Sequence, residues 1–527
     1  MWRGARDILD KLTLRDAYEF QVDTLELQIR HRMLRSADDA STIAELLVGA
    51  VRNAQKTLEK NALPDPVAAM LGQLIRQGKA AGAAIPPNAE DMFEALVERT
   101  RGSSRALLTL MAAAEPQARD LAAIVGGAAA ARYSDDAAFD LRNIAIVASR
   151  ALSNDAVLQR PEEVSYLLDL GADHGVALPD WDEAAIPPSL PAKLEDTARI
   201  ATEFSKAGIS VVQAGFDENG RLVRVAAVDG ILQPVIREED AIFSELRLRE
   251  WSKKYPFDYG IKETTANLFY TTTADLRFST LPEGPTLLVA EAGLQTFPPN
   301  LLFVDEEFAG RRRPMAAAPS LAWLDGARKT GAIGDGRLCS WLSTAVGDES
   351  QTLVMIADRL EHCFAEHGFM VDNGPKLPGN FAGSSLAVIT AHGGINSEGR
   401  YFQMVSDEGE LRVSSGDMAN ALRNVGVVIL FVCSGGRADK HPGANTTLGL
   451  AKQILDRGCT AVIASPWPLD SRVPSHWLPV FLDKWRGGDR LIEACHAANL
   501  AVDQKFAMDP ARGLAMTLFG NPEILAP

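Results

Sequence analysis

A chain of 527 residues is too long for one ordinary hydrophobic core, so two or three domains are expected. Its 46% hydrophobic and 23% charged residues place it among globular proteins. A formal net charge of −16, from 69 acids against 53 Lys+Arg, argues against nucleic-acid binding as the main task, because a phosphate backbone demands concentrated positive charge.

Cys339, Cys363, Cys433, Cys459 and Cys495 are few, odd in number and scattered. They form neither a disulfide framework nor a paired-cysteine zinc pattern, and no metal or cofactor is expected. His362, Cys363 and His367 share one predicted helix but lack a further ligand. The opening MWRGARDILDKLTLRD has no apolar core of signal-peptide length. No apolar run reaches the roughly 18 residues of a spanning helix. The expectation is a cytoplasmic protein with no membrane contact.

In chain order, residues 1–185 read as an all-α domain. Apolar residues recur at three and four spacings in Ile43, Leu46, Leu47 and Val51, and again in Met92, Leu96 and Val97. Asn88 before Ala89-Glu90-Asp91 predicts a helix start, and Gly102 follows the last turn. This domain is expected to be a regulatory or partner-binding unit; the alternative is an appendage that only stabilises its neighbour. A Pro-rich linker, 186–200, follows at Ile186-Pro187-Pro188-Ser189-Leu190-Pro191. Residues 201–345 and 346–527 read as two further parts. Ile209 to Phe216 and Leu222 to Val228 predict strands joined by a hairpin at Asp217-Glu218-Asn219-Gly220. Helix is predicted around 239–253 and a buried strand at Thr286 to Ala290. Arg311-Arg312-Arg313-Pro314 reads as a solvated basic loop and a candidate cleavage site. From about 350, strands and helices alternate, which predicts βαβ units and a mostly parallel sheet flanked by helices.

Two of those strands, Leu386 to Thr390 and Val425 to Val432, end in reactive side chains followed by glycine: His392-Gly393-Gly394 and Cys433-Ser434-Gly435-Gly436. In open α/β sheets the working groups sit past the carboxyl ends of the strands. Either residue alone is more often structural, since free cysteine is among the most buried residue types. Together they suggest an imidazole base beside a thiol nucleophile. The amides of Gly393 and Cys433 are then the candidate oxyanion hole. The strand Ala461 to Ala464 is expected beside the Cys433 strand, bringing Ser465-Pro466-Trp467-Pro468-Leu469-Asp470 to the same edge. There Trp467 is a candidate pocket wall and Asp470 a candidate pocket floor, favouring a basic residue at the cleaved position. Asp470 has an alternative reading: it caps the next helix or pairs with Arg472.

AVITAHGG, ILFVCSGG, GLAKQILDRGCTAVIASPWPLD and the closing TLFGNP resemble a CHAT domain, with similarity extending over about 200–527. The resemblance implies a caspase-like α/β fold: 201–345 as its first, pseudo-protease-like part and 346–527 as its catalytic part. It implies a cysteine endopeptidase with His392 as catalytic histidine and Cys433 as nucleophile, acting on a protein substrate. It also implies restraint until a protein partner binds, and a setting in bacterial defence. The alternative function is a catalytically idle scaffold of the same fold that binds a partner.

Overall fold

The structure is a computed structural model. It describes residues 40–527 apart from 101, 114–115, 132–136, 175–189, 191–192, 239–242, 259–268, 272, 275, 331–333, 344–351, 396–401, 406–410 and 441–444. Among the described residues no helix is long and apolar enough to cross a membrane.

The chain divides into two compact units, residues 1–154 and 155–527. In the first, the described residues form helices α1 (Ala40–Glu59), α2 (Asp65–Ala81), α3 (Ala89–Arg99), α4 (Gly102–Ala112), α5 (Ala118–Ala131) and α6 (Ala137–Ala151). The three-and-four spacing in α1 puts Ile43, Leu46, Leu47, Ala50 and Val51 on one stripe, and all are buried. Helix α2 stops at Gly82, whose φ of +66° is the left-handed cap that glycine accepts without a Cβ clash.

The second unit is built on one sheet of twelve strands. In chain order these are β1 (Ser210–Phe216), β2 (Leu222–Val228), β3 (Ile231–Leu232), β4 (Ile236–Arg237), β5 (Thr286–Ala290), β6 (Met315–Ala318), β7 (Leu338–Leu342), β8 (Met370–Asn373), β9 (Leu386–Thr390), β10 (Val427–Phe431), β11 (Ala461–Ala464) and β12 (Thr517–Gly520). Their order across the sheet is β8-β7-β9-β10-β11-β12-β6-β5-β1-β2-β3, with β4 beside β2. The strands from β8 to β11 are all parallel. Strand β12 runs antiparallel to β11 and parallel to β6, and the parallel pairing continues through β5 to β1. The sheet therefore has two parallel blocks of opposite direction. Every residue of β9, β10 and β11 is buried, which explains their unbroken apolar sequence: both faces are covered by helices. The expected mostly parallel α/β fold behind an all-helical N-terminal region is the fold observed.

The hairpin read from Asn-Gly joins β1 to β2, with Phe216 opposite Leu222. Its turn is wider than two residues, because Asp217 gathers it, accepting from the N–H groups of Asn219 and Arg221 at 2.9 Å each.

The boundary expected at 186–200 is not where the compact units part. Residues 194–200 lie in helix α8 (Leu194–Lys206), and most of the Pro-rich stretch lies outside the described residues. Helix α7 (Pro161–Gly171) belongs with the sheet. Gln213 of β1 donates to the Ser165 carbonyl at 2.8 Å, and the Asp169 carboxylate accepts the Leu321 N–H at 2.6 Å. The apolar run Val164 to Leu170 is buried there, so tertiary burial outweighs the sequence punctuation that drew the border later.

Candidate active site

Strands β9 and β10 pair in parallel with Thr390 opposite Phe431. His392 and Cys433 each lie two residues past that last pair, at matched register. The Ala391 N–H still reaches the Phe431 carbonyl at 3.4 Å, so the strands separate only at these two residues. Neighbouring strands run about 4.8 Å apart, and residues at matched register project to the same side. The sheet thus brings chain positions 392 and 433 past the same edge of two adjacent strands.

The chain turns sharply at Cys433. Ser434 has a φ of +58°, a left-handed conformation uncommon outside glycine, and strain of this kind concentrates at functional turns. The turn is held by the loop after β11. Ser434 donates its N–H to the Trp467 carbonyl at 3.0 Å, and Gly436 donates to the Ser465 carbonyl at 2.9 Å. Position 436 must be glycine for this approach, because a Cβ there would sit 2.8 Å from the Ala464 carbonyl oxygen. The Ser434 and Gly436 amides are thereby committed within the turn; the sequence expectation for the oxyanion donors names Gly393 and Cys433.

Cys433 is partly exposed, whereas Cys339, Cys363, Cys459 and Cys495 are buried. Burial around the sulfur pushes the Cys433 thiol pKa up, against the pull of hydrogen bonding from the Leu469 backbone and its own amide.

The strand β11 does lie beside β10, but its loop differs from the expected pocket. Trp467 is not an exposed wall. It is fully buried, donates its indole N–H to the Ala511 carbonyl at 2.8 Å and packs edge-on to Phe269. An aromatic with one polar atom satisfies both needs inside a core, and nothing in the sequence distinguished that from a pocket wall. Asp470 is paired rather than open: Arg472 lies 2.8 Å and Arg512 2.7 Å from it. Burial alone would raise its pKa, but hydrogen bonds from the two arginines outweigh it and hold the carboxyl well below the usual range. The pairing with Arg472, one of the two sequence readings, is present; Arg512 was not foreseen, because it lies in a distant part of the chain. The basic stretch is also not a solvated loop. Arg311 bonds buried Asp503 at 2.9 Å and Arg313 donates to the Leu281 carbonyl at 3.1 Å, so two of its three arginines are structural.

A cavity of about 150 Å³ lies against the loop after the cysteine, lined among others by Gly436, Arg437, Lys440, Glu291, Trp251 and Pro466. Its charges are mostly answered internally: Arg437 bonds Asp439 at 2.9 Å, Glu245 pairs with Arg249, and Glu291 accepts the Phe216 N–H at 3.1 Å.

Comparison with solved structures gives distant likenesses. The separase of the Saccharomyces cerevisiae separase–securin complex shares 10% identity at a TM-score of 0.47; the match covers 99% of this chain and 48% of that one, so this chain spans about half its length. Gingipain R, an Arg specific cysteine proteinase, shares 14% identity at a TM-score of 0.29, covering 55% of this chain and 68% of that one. The complex of Porphyromonas gingivalis RgpB pro- and mature domains shares 14% at a TM-score of 0.31, covering 55% and 70%. No curated protein matches the chain. The family described as the CHAT domain matches residues 380–512, the span that holds His392, Cys433 and the loop after β11. This chain therefore carries a CHAT domain behind a helical N-terminal region.

Proposed function

We propose that the protein is a cysteine endopeptidase of caspase-like type, acting on a protein substrate through His392 and Cys433. The observation that carries this reading is the matched register of the two residues past the Thr390–Phe431 pair. In the reaction, His392 takes the thiol proton as the Cys433 sulfur attacks the peptide carbonyl. The carbonyl oxygen becomes an oxyanion held by the Gly393 and Cys433 amides. The imidazolium returns its proton to the leaving amine as the C–N bond breaks, and water then releases the acyl group. In this reading His392 acts first as general base and then as general acid.

Cleavage after a basic residue belongs to the same reading, with one condition from the geometry. Asp470 can receive a substrate guanidinium only by exchanging it for Arg472, the more exposed of its partners at 48% against 26% for Arg512. Regulation by a partner or the N-terminal unit, and a place in bacterial defence, are the context that the resemblance supplies. The alternative reading is a catalytically idle scaffold of the same fold that binds a partner. A cysteine-reactive peptide probe separates the two. Labelling of wild type but not of Cys433→Ala or His392→Ala is the expected result, and absence of labelling under every activating condition tried defeats the peptidase.

A further inference from the structure

We propose that Asp173 is a positioning residue for Cys433, bracing the hairpin that follows the nucleophile. The proposal rests on the peptidase reading only in calling Cys433 the nucleophile. After the Cys433 turn the chain forms two short strands, Asp439–Lys440 and Thr447–Leu448, paired antiparallel with Lys440 opposite Thr447. One carboxylate holds the returning strand. Asp173 Oδ1 accepts the Thr446 hydroxyl at 2.7 Å, and Oδ2 accepts both the Thr447 N–H and the Thr447 hydroxyl at 2.7 Å. Lys452 Nζ stands 3.6 Å from Oδ1. Beside it, the Asn445 amide donates to the Gly171 and Ala172 carbonyls at 3.1 Å each. Three consecutive hairpin residues are therefore seated on three consecutive residues at the end of α7.

The Asp173 side chain has no exposed surface and that of Lys452 only 8%. A carboxylate so buried is costly unless every lone pair is answered, and here hydroxyls, an amide and an ammonium answer it. Removing it leaves the Thr446 hydroxyl and the Thr447 N–H and hydroxyl without their shared acceptor, while Lys452 keeps Asp456 at 2.5 Å. The far end of the brace is the nucleophile's own turn. Gly449, just past the hairpin, lies so close to the Arg437 carbonyl that a Cβ would sit 2.2 Å from its oxygen. The Ala451 N–H donates to the Gly435 carbonyl at 3.2 Å, and Arg437 bonds Asp439. The hairpin thus connects the Asp173 seat to the residues two and four past Cys433, and loss of the seat loosens one side of a turn that the loop after β11 holds on the other.

The test uses the full chain as wild type, Asp173→Ala, Asp173→Asn and Thr446→Val. Hydrogen exchange is read on peptides spanning 434–440 and 445–452, with β5 as an internal reference. The rate of Cys433 alkylation by iodoacetamide is read in parallel, and turnover of a cleaved peptide where one is found. In Asp173→Ala, exchange in both hairpin peptides should rise about tenfold or more with β5 unchanged, the alkylation rate should change severalfold, and kcat should fall with KM nearly constant. Asp173→Asn, which keeps an acceptor oxygen but loses the charge facing Lys452, should fall between. Thr446→Val, which removes one bond without touching the carboxylate, keeps the idea testable should Asp173→Ala unfold; it should shift exchange and alkylation in the same direction by less. Unchanged exchange and alkylation in Thr446→Val and Asp173→Asn would overturn the brace. Altered exchange and alkylation in the variants, with wild type unlabelled by the peptide probe under every activating condition tried, would support the brace and overturn the peptidase reading instead.

Discussion

At Cys433 the reactivity of the site is set by two opposed effects on one sulfur. Burial disfavours the thiolate, and hydrogen bonding from the Leu469 backbone and from its own amide favours it, with burial the larger. Thiolate forms as pH rises, so a raised pKa leaves little of it at pH 7. Alkylation of Cys433 by iodoacetamide should therefore climb with a midpoint above the ordinary value of about 8.5. Mass spectrometry of the Cys433 peptide across a pH series checks this, and a midpoint below 8 contradicts it. Cys433→Ala and His392→Ala should abolish probe labelling at a stability cost on the order of 1 kcal/mol or less, because both remove atoms past the sheet rather than from it. Asp470 carries the specificity prediction. Profiled on a peptide library, wild type should prefer Arg or Lys before the cut, and Asp470→Asn should lose that preference together with the contacts to Arg472 and Arg512. A mutant with unchanged preference removes Asp470 from recognition and leaves it as a loop clamp.

The element that matters most is the turn from β10 through Ser434 to the hairpin. It is held at close backbone range by the loop after β11, and glycine at 436 is what permits the approach. In Gly436→Ala the new Cβ meets the Ala464 carbonyl oxygen and the Phe519 ring, at 2.8 and 3.0 Å. The turn must then shift. We expect a stability loss of roughly 1–3 kcal/mol and a larger effect on catalysis, about a hundredfold in kcat, since a misplacement near 1 Å is enough for that. Denaturant melts and turnover on the same preparation check the pair, and unchanged turnover would mean that the turn tolerates displacement.

Over the whole molecule, the two compact units suggest where the chain can be cut. Deleting 1–154 leaves α7 on the sheet and should give a folded protein, whose altered activity would identify the N-terminal unit as a regulator. Deleting 1–185 removes α7 as well, including buried Val164, Leu167, Leu168 and Leu170. At roughly 1.5–3 kcal/mol for each such side chain, the loss should exceed about 5 kcal/mol and lower the melting temperature sharply. Equal thermal stability of the two truncations would contradict the placement of α7. An unchanged cleavage rate in the shorter deletion, with and without candidate partners, would end the regulatory reading.

By itself the sequence determined the alternating α/β region, its buried strands and the strand-end positions of His392 and Cys433. Those signals are local: a fully buried strand must be apolar throughout, and a reactive residue at its end is followed by the glycines that let backbones approach. The neighbouring placement of β10 and β11 was legible too, since a short helical crossover leaves few alternatives. Only the tertiary structure decided the reversal of direction at β12, the burial of Trp467, the second arginine on Asp470, the structural use of Arg311 and Arg313, and the attachment of α7. Each depends on a partner remote in sequence, as Asp503 is for Arg311 and Thr446 for Asp173. Charge and aromatic character tell what a side chain must satisfy; which distant group satisfies it is fixed when the chain closes around its core.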